Sequence, residues 1–177
     1  LSLCNTISAQ NGEGEAKIYI SLEEARSALI GKKLPYFKVK LPDGSVLAQE
    51  DLSNKIVFIN FWFAACSPCM AEMNGLNKLY DTLKNNKNVL FLSFTYDPTE
   101  TANAVIEKYG IKYRVVNLSR DECHRLSGTG RYPTSVVINK LGVIKWAAVG
   151  GPVDEEIASG EIVPTILPEI MSELRCK

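Results

Sequence analysis

The sequence predicts an α/β domain in which one mixed central sheet is covered by helices on both faces, and three observations carry that expectation. The run Ile56-Val57-Phe58-Ile59-Asn60-Phe61-Trp62 is apolar on both faces and mostly β-branched or aromatic, which suits a buried central strand. Strand and helix patterns alternate from there to Pro133. Two strand-like runs then form a hairpin and a helix closes the chain, so the sheet is mixed.

Each element has its own local signal. Gln10 to Ala16 are polar and glycine-containing and read as a flexible lead. Ser21-Leu22-Glu23-Glu24 is a capping-box-like start, with Ala25, Ala28 and Leu29 on a short helix closed by Gly31 and Pro35. Tyr36 to Leu41 and Ser45 to Ala48 flank the turn Pro42-Asp43-Gly44 and read as a hairpin ahead of the core. Past the central strand, Leu76, Leu79, Tyr80 and Leu83 recur at helical spacing.

Asn86 to Asn88 form a polar break before the buried strand Val89 to Phe94. Asp97-Pro98-Thr99 opens a helix that Gly110 ends after Tyr109. Lys112 to Leu118 reads as a strand and Arg120 to Ser127 as a short helix. Tyr132 to Ile138 and Val143 to Val149 pair across the turn Asn139 to Gly142, and a last helix runs from Pro164 or Leu167 to Leu174. The expected organisation is a lead over 1–15 and one domain over 16–177, divided into an N-terminal extension (16–54) and a core (55–177).

Composition narrows the function. With 177 residues, 46% of them hydrophobic, the chain can bury one good core. Lysine plus arginine equals aspartate plus glutamate at 20 each, so no net field draws it to nucleic acid or anionic lipid. The longest uncharged run, Ile56 to Ala71, is too short for a membrane span and contains Asn60, Ser67 and Pro68. Leu1 to Ala9 resembles the tail of a secretory signal peptide with cleavage after Ala9, which points to export, a periplasmic one in a bacterium. Lipid attachment at Cys4, against which the bulk of Leu3 argues, and a cytosolic domain with a disordered N-terminus are the alternatives.

The chemistry concentrates where the central strand meets its helix, at Cys66-Ser67-Pro68-Cys69. Pro68 falls in the first helical turn, where a missing N–H costs little, so Cys66 lies at the helix N-terminus. Unpaired amides and the positive end of the helix dipole stabilise a thiolate there, and the thiolate attacks disulfides. Two intervening residues let both sulfurs meet within one turn, so the pair can cycle between dithiol and disulfide, with Cys69 the less accessible. A structural disulfide or half a zinc site would use the same residues. Zinc would require further ligands, and only the sequence neighbours Cys123 and His124 are available, so no metal is expected.

Phe61-Trp62-x-Ala64-x-Cys66-x-Pro68-Cys69-x-x-Glu72, followed by Tyr132-Pro133-Thr134-Ser135 and Lys140-x-Gly142, resembles the thioredoxin fold and, within it, the TlpA/ResA-like thiol:disulfide oxidoreductases. The likeness covers about Leu34 to Leu174. It implies a thioredoxin-like three-layer α/β/α sandwich with a central insertion, supplied by Thr99 to Tyr109 and the adjoining strand. It also implies an exported or membrane-tethered bacterial protein that reduces other proteins. Carried over residue by residue, Cys66 is the attacking cysteine, Cys69 the resolving one and Pro133 the residue after a cis peptide bond. Trp62, Tyr132, Pro133 and Thr134 would meet the substrate, and Glu72 would assist proton transfer; read without the family, Glu72 is a solvated acid complementing the helix dipole.

Two residues depart from the pattern. Ala65 stands where tryptophan is common, and Asn60 where thioredoxin itself has a buried acid, which shifts proton handling towards Glu72. Cys123 has no family role and reads as an inert thiol, and pairing with Cys176 is not expected. The expected partners are protein dithiols or disulfides and an unidentified electron donor, with no cofactor beyond the cysteine pair, and the chain is expected to act as a monomer. A copper-binding or holdase module without turnover and a thiol peroxidase are the alternatives. The first lacks a histidine or methionine cluster beside the motif, and the second lacks an arginine and threonine ahead of Cys66.

Overall fold

A computed structural model describes residues 21–41 and 43–176. The expected signal segment and Cys4 lie outside those residues. Helix α1 (Leu22–Ser27) starts as the capping pattern requires, with the Ser21 hydroxyl accepting the Glu24 N–H at 3.0 Å. The hairpin strands β1 (Lys38–Lys40) and β2 (Val46–Ala48) pair antiparallel in a small sheet of their own. A 3-10 turn at Gln49–Leu52 leads into the core.

The main sheet has five strands: β3 (Ile56–Trp62), β4 (Val89–Thr95), β5 (Arg114–Asn117), β6 (Thr134–Ile138) and β7 (Ile144–Val149). Their order is β5-β4-β3-β6-β7, with β3, β4 and β5 parallel and β6 and β7 antiparallel to their neighbours. Strand β3 is central, and all seven of its residues are buried, as its two-sided apolar pattern requires. Helices α2 (Ser67–Leu83), α3 (Thr99–Tyr109), α4 (Arg120–Ser127) and α5 (Glu155–Arg175) complete the chain. Gly110 and Gly128 end α3 and α4 in the left-handed region, where a side chain would be strained.

Strand parity divides the core into two layers. Val57, Ile59 and Phe61 of β3, with Leu92, Phe94, Val136 and Ile138, pack against α1, the hairpin and α4. Ile56, Phe58 and Trp62, with Phe91 and Val137, pack against α2, α3 and α5. The α4 residue Cys123 and the α5 residues Ile166 and Ile170 therefore lie on opposite faces. Cys123 is a buried free thiol.

The last helix differs from the expectation. It begins at Glu155 and contains both Pro164 and Pro168. Asp154 caps it, its carboxylate accepting the Ile157 N–H at 2.9 Å. A proline inside a helix frees the carbonyl four residues earlier. Here those carbonyls belong to Gly160 and Pro164, and both residues are exposed, so water can satisfy them. The buried stripe Ala158, Ser159, Ile166 and Ile170 stays continuous across the prolines.

Candidate active site

Strand β3 ends at Trp62, and the following loop is tied down before it reaches the cysteines. The Ala64 N–H donates to the Asp97 carboxylate at 2.6 Å, and the Thr95 hydroxyl donates to the same oxygen at 3.0 Å. Asn117 in turn donates to the Asp97 carbonyl at 2.9 Å. Asp97, read from the sequence only as part of a helix start, thus fixes the approach to the site. Nothing in its local sequence marks that role, because Ala64 is brought to it by the parallel pairing of β3 and β4.

Cys66 is the N-cap of α2, and its sulfur accepts the Cys69 N–H at 3.2 Å. The two sulfurs form a disulfide of 2.05 Å with the Cα atoms 5.2 Å apart. The expected difference in access is present but narrow: Cys66 is 6% exposed and Cys69 is 0%.

The Tyr132–Pro133 bond is cis. The Tyr132 ring meets Phe63, on the loop before Cys66, edge to face with centroids 5.3 Å apart, so this segment borders the site. Tyr96 stacks on Phe63 at 5.3 Å, and the Arg120 guanidinium lies over the Tyr96 ring at 5.5 Å from its centroid. Two of the residues expected to meet the substrate have buried side chains. Trp62 is fully buried and its indole N–H donates to the Ser93 hydroxyl at 2.6 Å, so it packs beneath the site. Thr134 is also fully buried, its hydroxyl donating to the Arg131 carbonyl at 2.7 Å to hold the turn before β6. Tyr132 is half-buried and remains at the rim.

Glu72 lies one helical turn beyond Cys69 and faces inward, which excludes the solvated dipole-complementing acid as its description. Asn60 donates to its carboxyl at 2.7 Å. Burial pushes the Glu72 carboxyl up to about 8, and the Asn60 hydrogen bond opposes that rise without cancelling it. The acid is therefore largely neutral at pH 7 in the disulfide form. Sequence reasoning missed Ser93 and Ser135 as partners of this layer. The available signal was parity, since a polar Asn60 in the apolar row Phe58, Asn60, Trp62 must find polar neighbours across the sheet.

A mixed sheet between helical layers, with a cysteine pair at the N-terminus of the helix after the central strand and a cis-proline turn beside it, defines a thioredoxin-fold redox protein. Comparison with known proteins places it more closely. The chain belongs to the AhpC/TSA family, whose model matches residues 30–147. It is 33% identical over 129 residues to the thiol-disulfide oxidoreductase ResA of Bacillus thuringiensis strain Al Hakam, covering 72% of this chain and 74% of that one. Over 158 residues it is 30% identical to the ResA protein of Bacillus thuringiensis subsp. konkukian, with 89% and 87% covered. A solved thioredoxin-class protein of Neisseria meningitidis superimposes with a TM-score of 0.67 at 30% identity, over 83% of this chain and 93% of that one. A thiol-disulfide oxidoreductase of Bacteroides fragilis superimposes with a TM-score of 0.59 at 25% identity, over 75% and 98%. The activity these similarities and the Cys66–Cys69 pair support is thiol:disulfide exchange.

Proposed function

We propose that this protein works outside the cytoplasm as a reductant of protein disulfides, with Cys66 attacking, Cys69 resolving and Glu72 receiving the proton of Cys69. The observation that carries the reading is the Cys66–Cys69 disulfide at the start of α2 with the buried Glu72 carboxyl one turn further on. The Cys66 thiolate attacks one sulfur of the client disulfide, forming a mixed disulfide and expelling the other client sulfur as a thiolate. Cys69 then gives its proton to the Glu72 carboxylate and attacks the Cys66 sulfur. The client leaves as its second thiolate, two electrons have passed to it, and Glu72 ends protonated. A neutral Glu72 beside the Cys66–Cys69 disulfide is the state expected after that sequence.

The redox equivalents reside in the two sulfurs, so no bound cofactor is required, and an external donor must return them. Among the described residues no helix is long and apolar enough to cross a membrane. Export is supported by the signal-like residues Leu1 to Ala9. Tyr132, half-buried at the rim beside Pro133, is the side chain whose ring edge a client would meet, and a single copy of the chain carries every residue of the site. The test is covalent capture. With the protein expressed in the exporting compartment, Cys69→Ala is expected to accumulate thiol-sensitive adducts on non-reducing gels, and Cys66→Ala is expected to accumulate none. Absence of adducts with Cys69→Ala, under both reducing and oxidising growth, overturns the reading.

A further inference from the structure

An aromatic shelf lies on the α4 side of the site. It begins at Phe63, whose carbonyl accepts the Cys66 N–H at 3.1 Å, so the shelf starts one turn of chain from the attacking sulfur. The Tyr96 and Tyr132 rings each lie 5.3 Å from Phe63 and 5.5 Å from one another. His124 of α4 completes the group, 5.9 Å from Tyr132 and 6.2 Å from Tyr96. All four side chains are half-buried, so part of each meets solvent.

One cation stands over this shelf. Arg120, a turn before His124 on the same face of α4, is exposed, and its guanidinium lies 5.5 Å from the Tyr96 centroid. Among the described residues no carboxylate pairs with it. The neighbouring acids are engaged or point elsewhere. Asp97 is turned to the Ala64 N–H and the Thr95 hydroxyl, Glu122 is held by Arg125 at 2.6 Å, and Asp121 projects about 100° around the helix from Arg120.

We propose that Arg120 is a specificity-determining residue that selects protein clients carrying an acidic side chain about four residues from the attacked cysteine. A guanidinium resting on a ring keeps its N–H edge free for a carboxylate, and stacking has already limited its freedom, so less is lost on binding. An extended client advances about 3.3 Å per residue. The steps of 5.3 Å from Phe63 to Tyr96 and 5.5 Å on to Arg120 set the spacing, and the rings between offer flat apolar area to the intervening residues. A lysine at the same place would meet like charge. The chain carries no net charge, so any preference of this kind is local. The inference rests on disulfide exchange at Cys66 and adds the chemistry of the client.

The experiment uses peptides with one cysteine, carried as a neutral mixed disulfide with 2-thiopyridine, and with Glu, Gln or Lys four residues before or after it. The Cys66 thiolate of the reduced protein attacks the peptide sulfur and expels 2-thiopyridone, whose absorbance reports the rate. Cys69 then attacks the Cys66 sulfur and releases the peptide thiolate, leaving the Cys66–Cys69 disulfide. At low ionic strength the faster Glu peptide is expected to exceed its Gln counterpart about two- to fivefold and the Lys peptide to fall below it, with the ratios approaching one in about 0.5 M salt. Arg120→Gln is expected to bring the Glu and Gln rates together. Lys78→Gln, which removes the same charge from the exposed face of α2, is expected to keep them apart. Comparing proteins on the same peptides cancels the reactivity of the peptides themselves. A Glu preference that survives in Arg120→Gln overturns the inference, as does its absence from the unaltered protein while the Gln peptide reacts; disulfide exchange stands in both cases. Equal loss of the preference in Lys78→Gln would assign it to the overall field and overturns the inference too. Failure of every peptide to react removes the disulfide-exchange reading and the inference with it.

Discussion

The sulfur of Cys66 accepts the backbone N–H of Cys69 at 3.2 Å, so the two cysteines differ before any client arrives. Cys66 stands at the N-terminus of α2, while Cys69 lies inside the first turn and is fully buried. The N–H and the helix end favour negative charge on Cys66. In single-cysteine variants of the reduced protein, Cys66 is expected to react with iodoacetamide at least about tenfold faster than Cys69 near pH 7. Equal rates across pH would contradict the division into attacking and resolving sulfurs.

The raised Glu72 carboxyl has a consequence for stability with a definite sign. Its value of about 8 in the folded disulfide form lies above the ordinary 4.5 of the unfolded chain. Between those values the folded state holds a proton that the unfolded state has lost, so rising pH favours unfolding. The stability loss is expected to begin near pH 4.5, grow until about pH 8 and then level off, with a total on the order of 5 kcal/mol as an upper scale. Glu72→Gln removes the titration and keeps an oxygen for the Asn60 N–H. Thermal unfolding of the oxidised variant should therefore lack this component of the slope between pH 5 and 8. The same variant is expected to turn over more slowly, with the largest loss near neutral pH.

Local signals carried most of the fold into the sequence. The helix Arg120–Ser127 and the end of Thr99–Tyr109 at Gly110 were readable because caps and left-handed glycines act within a few residues. The strand Ile56–Trp62 was readable because burial on both faces leaves a continuous apolar run. The start of Glu155–Arg175 was not, since prolines at 164 and 168 read as helix starts unless their freed carbonyls are known to face water. At the site, Cys66 and Cys69 share one short segment and their pairing was legible, whereas the burial of Glu72 was not, since its own residues read as a solvated acid in the first turn. The pairing of Asn60 with Ser135 spans 75 residues and exists only once β3 and β6 are in register.

Cys123 illustrates how burial silences a thiol. It is fully buried, and that burial, together with the charges of Glu122 and Asp97, pushes its thiol up to about 12. Peptide mapping after alkylation of the native protein at pH 8 is expected to find Cys123 unmodified, with labelling appearing only on unfolding. Cys123→Ala should leave disulfide exchange unchanged and lower stability by roughly 1 kcal/mol through lost packing. A fall in turnover without a fall in stability would instead give this thiol a part in the reaction.

The close approach of α2 and α5 rests on Gly75. A Cβ at that position would lie 2.6 Å from the Ser159 carbonyl oxygen and 2.8 Å from the Ile162 side chain. Ile162 could rotate, but Ser159 offers backbone within a long helix, so the two helices would have to separate. Separation would loosen the contacts of Ile166 and Ile170 with the layer beneath α2. Alanine has the higher helix propensity by about 1 kcal/mol, which works in the opposite direction. Overpacking of this kind costs roughly 1–3 kcal/mol, so Gly75→Ala is expected to be destabilising on balance, read as a lower urea midpoint with little change in slope. Gly160→Ala on the facing helix has open space around its Cβ, and the same propensity should make it neutral or stabilising. A stabilising Gly75→Ala would show that α2 and α5 pack more loosely than the 2.6 Å approach requires.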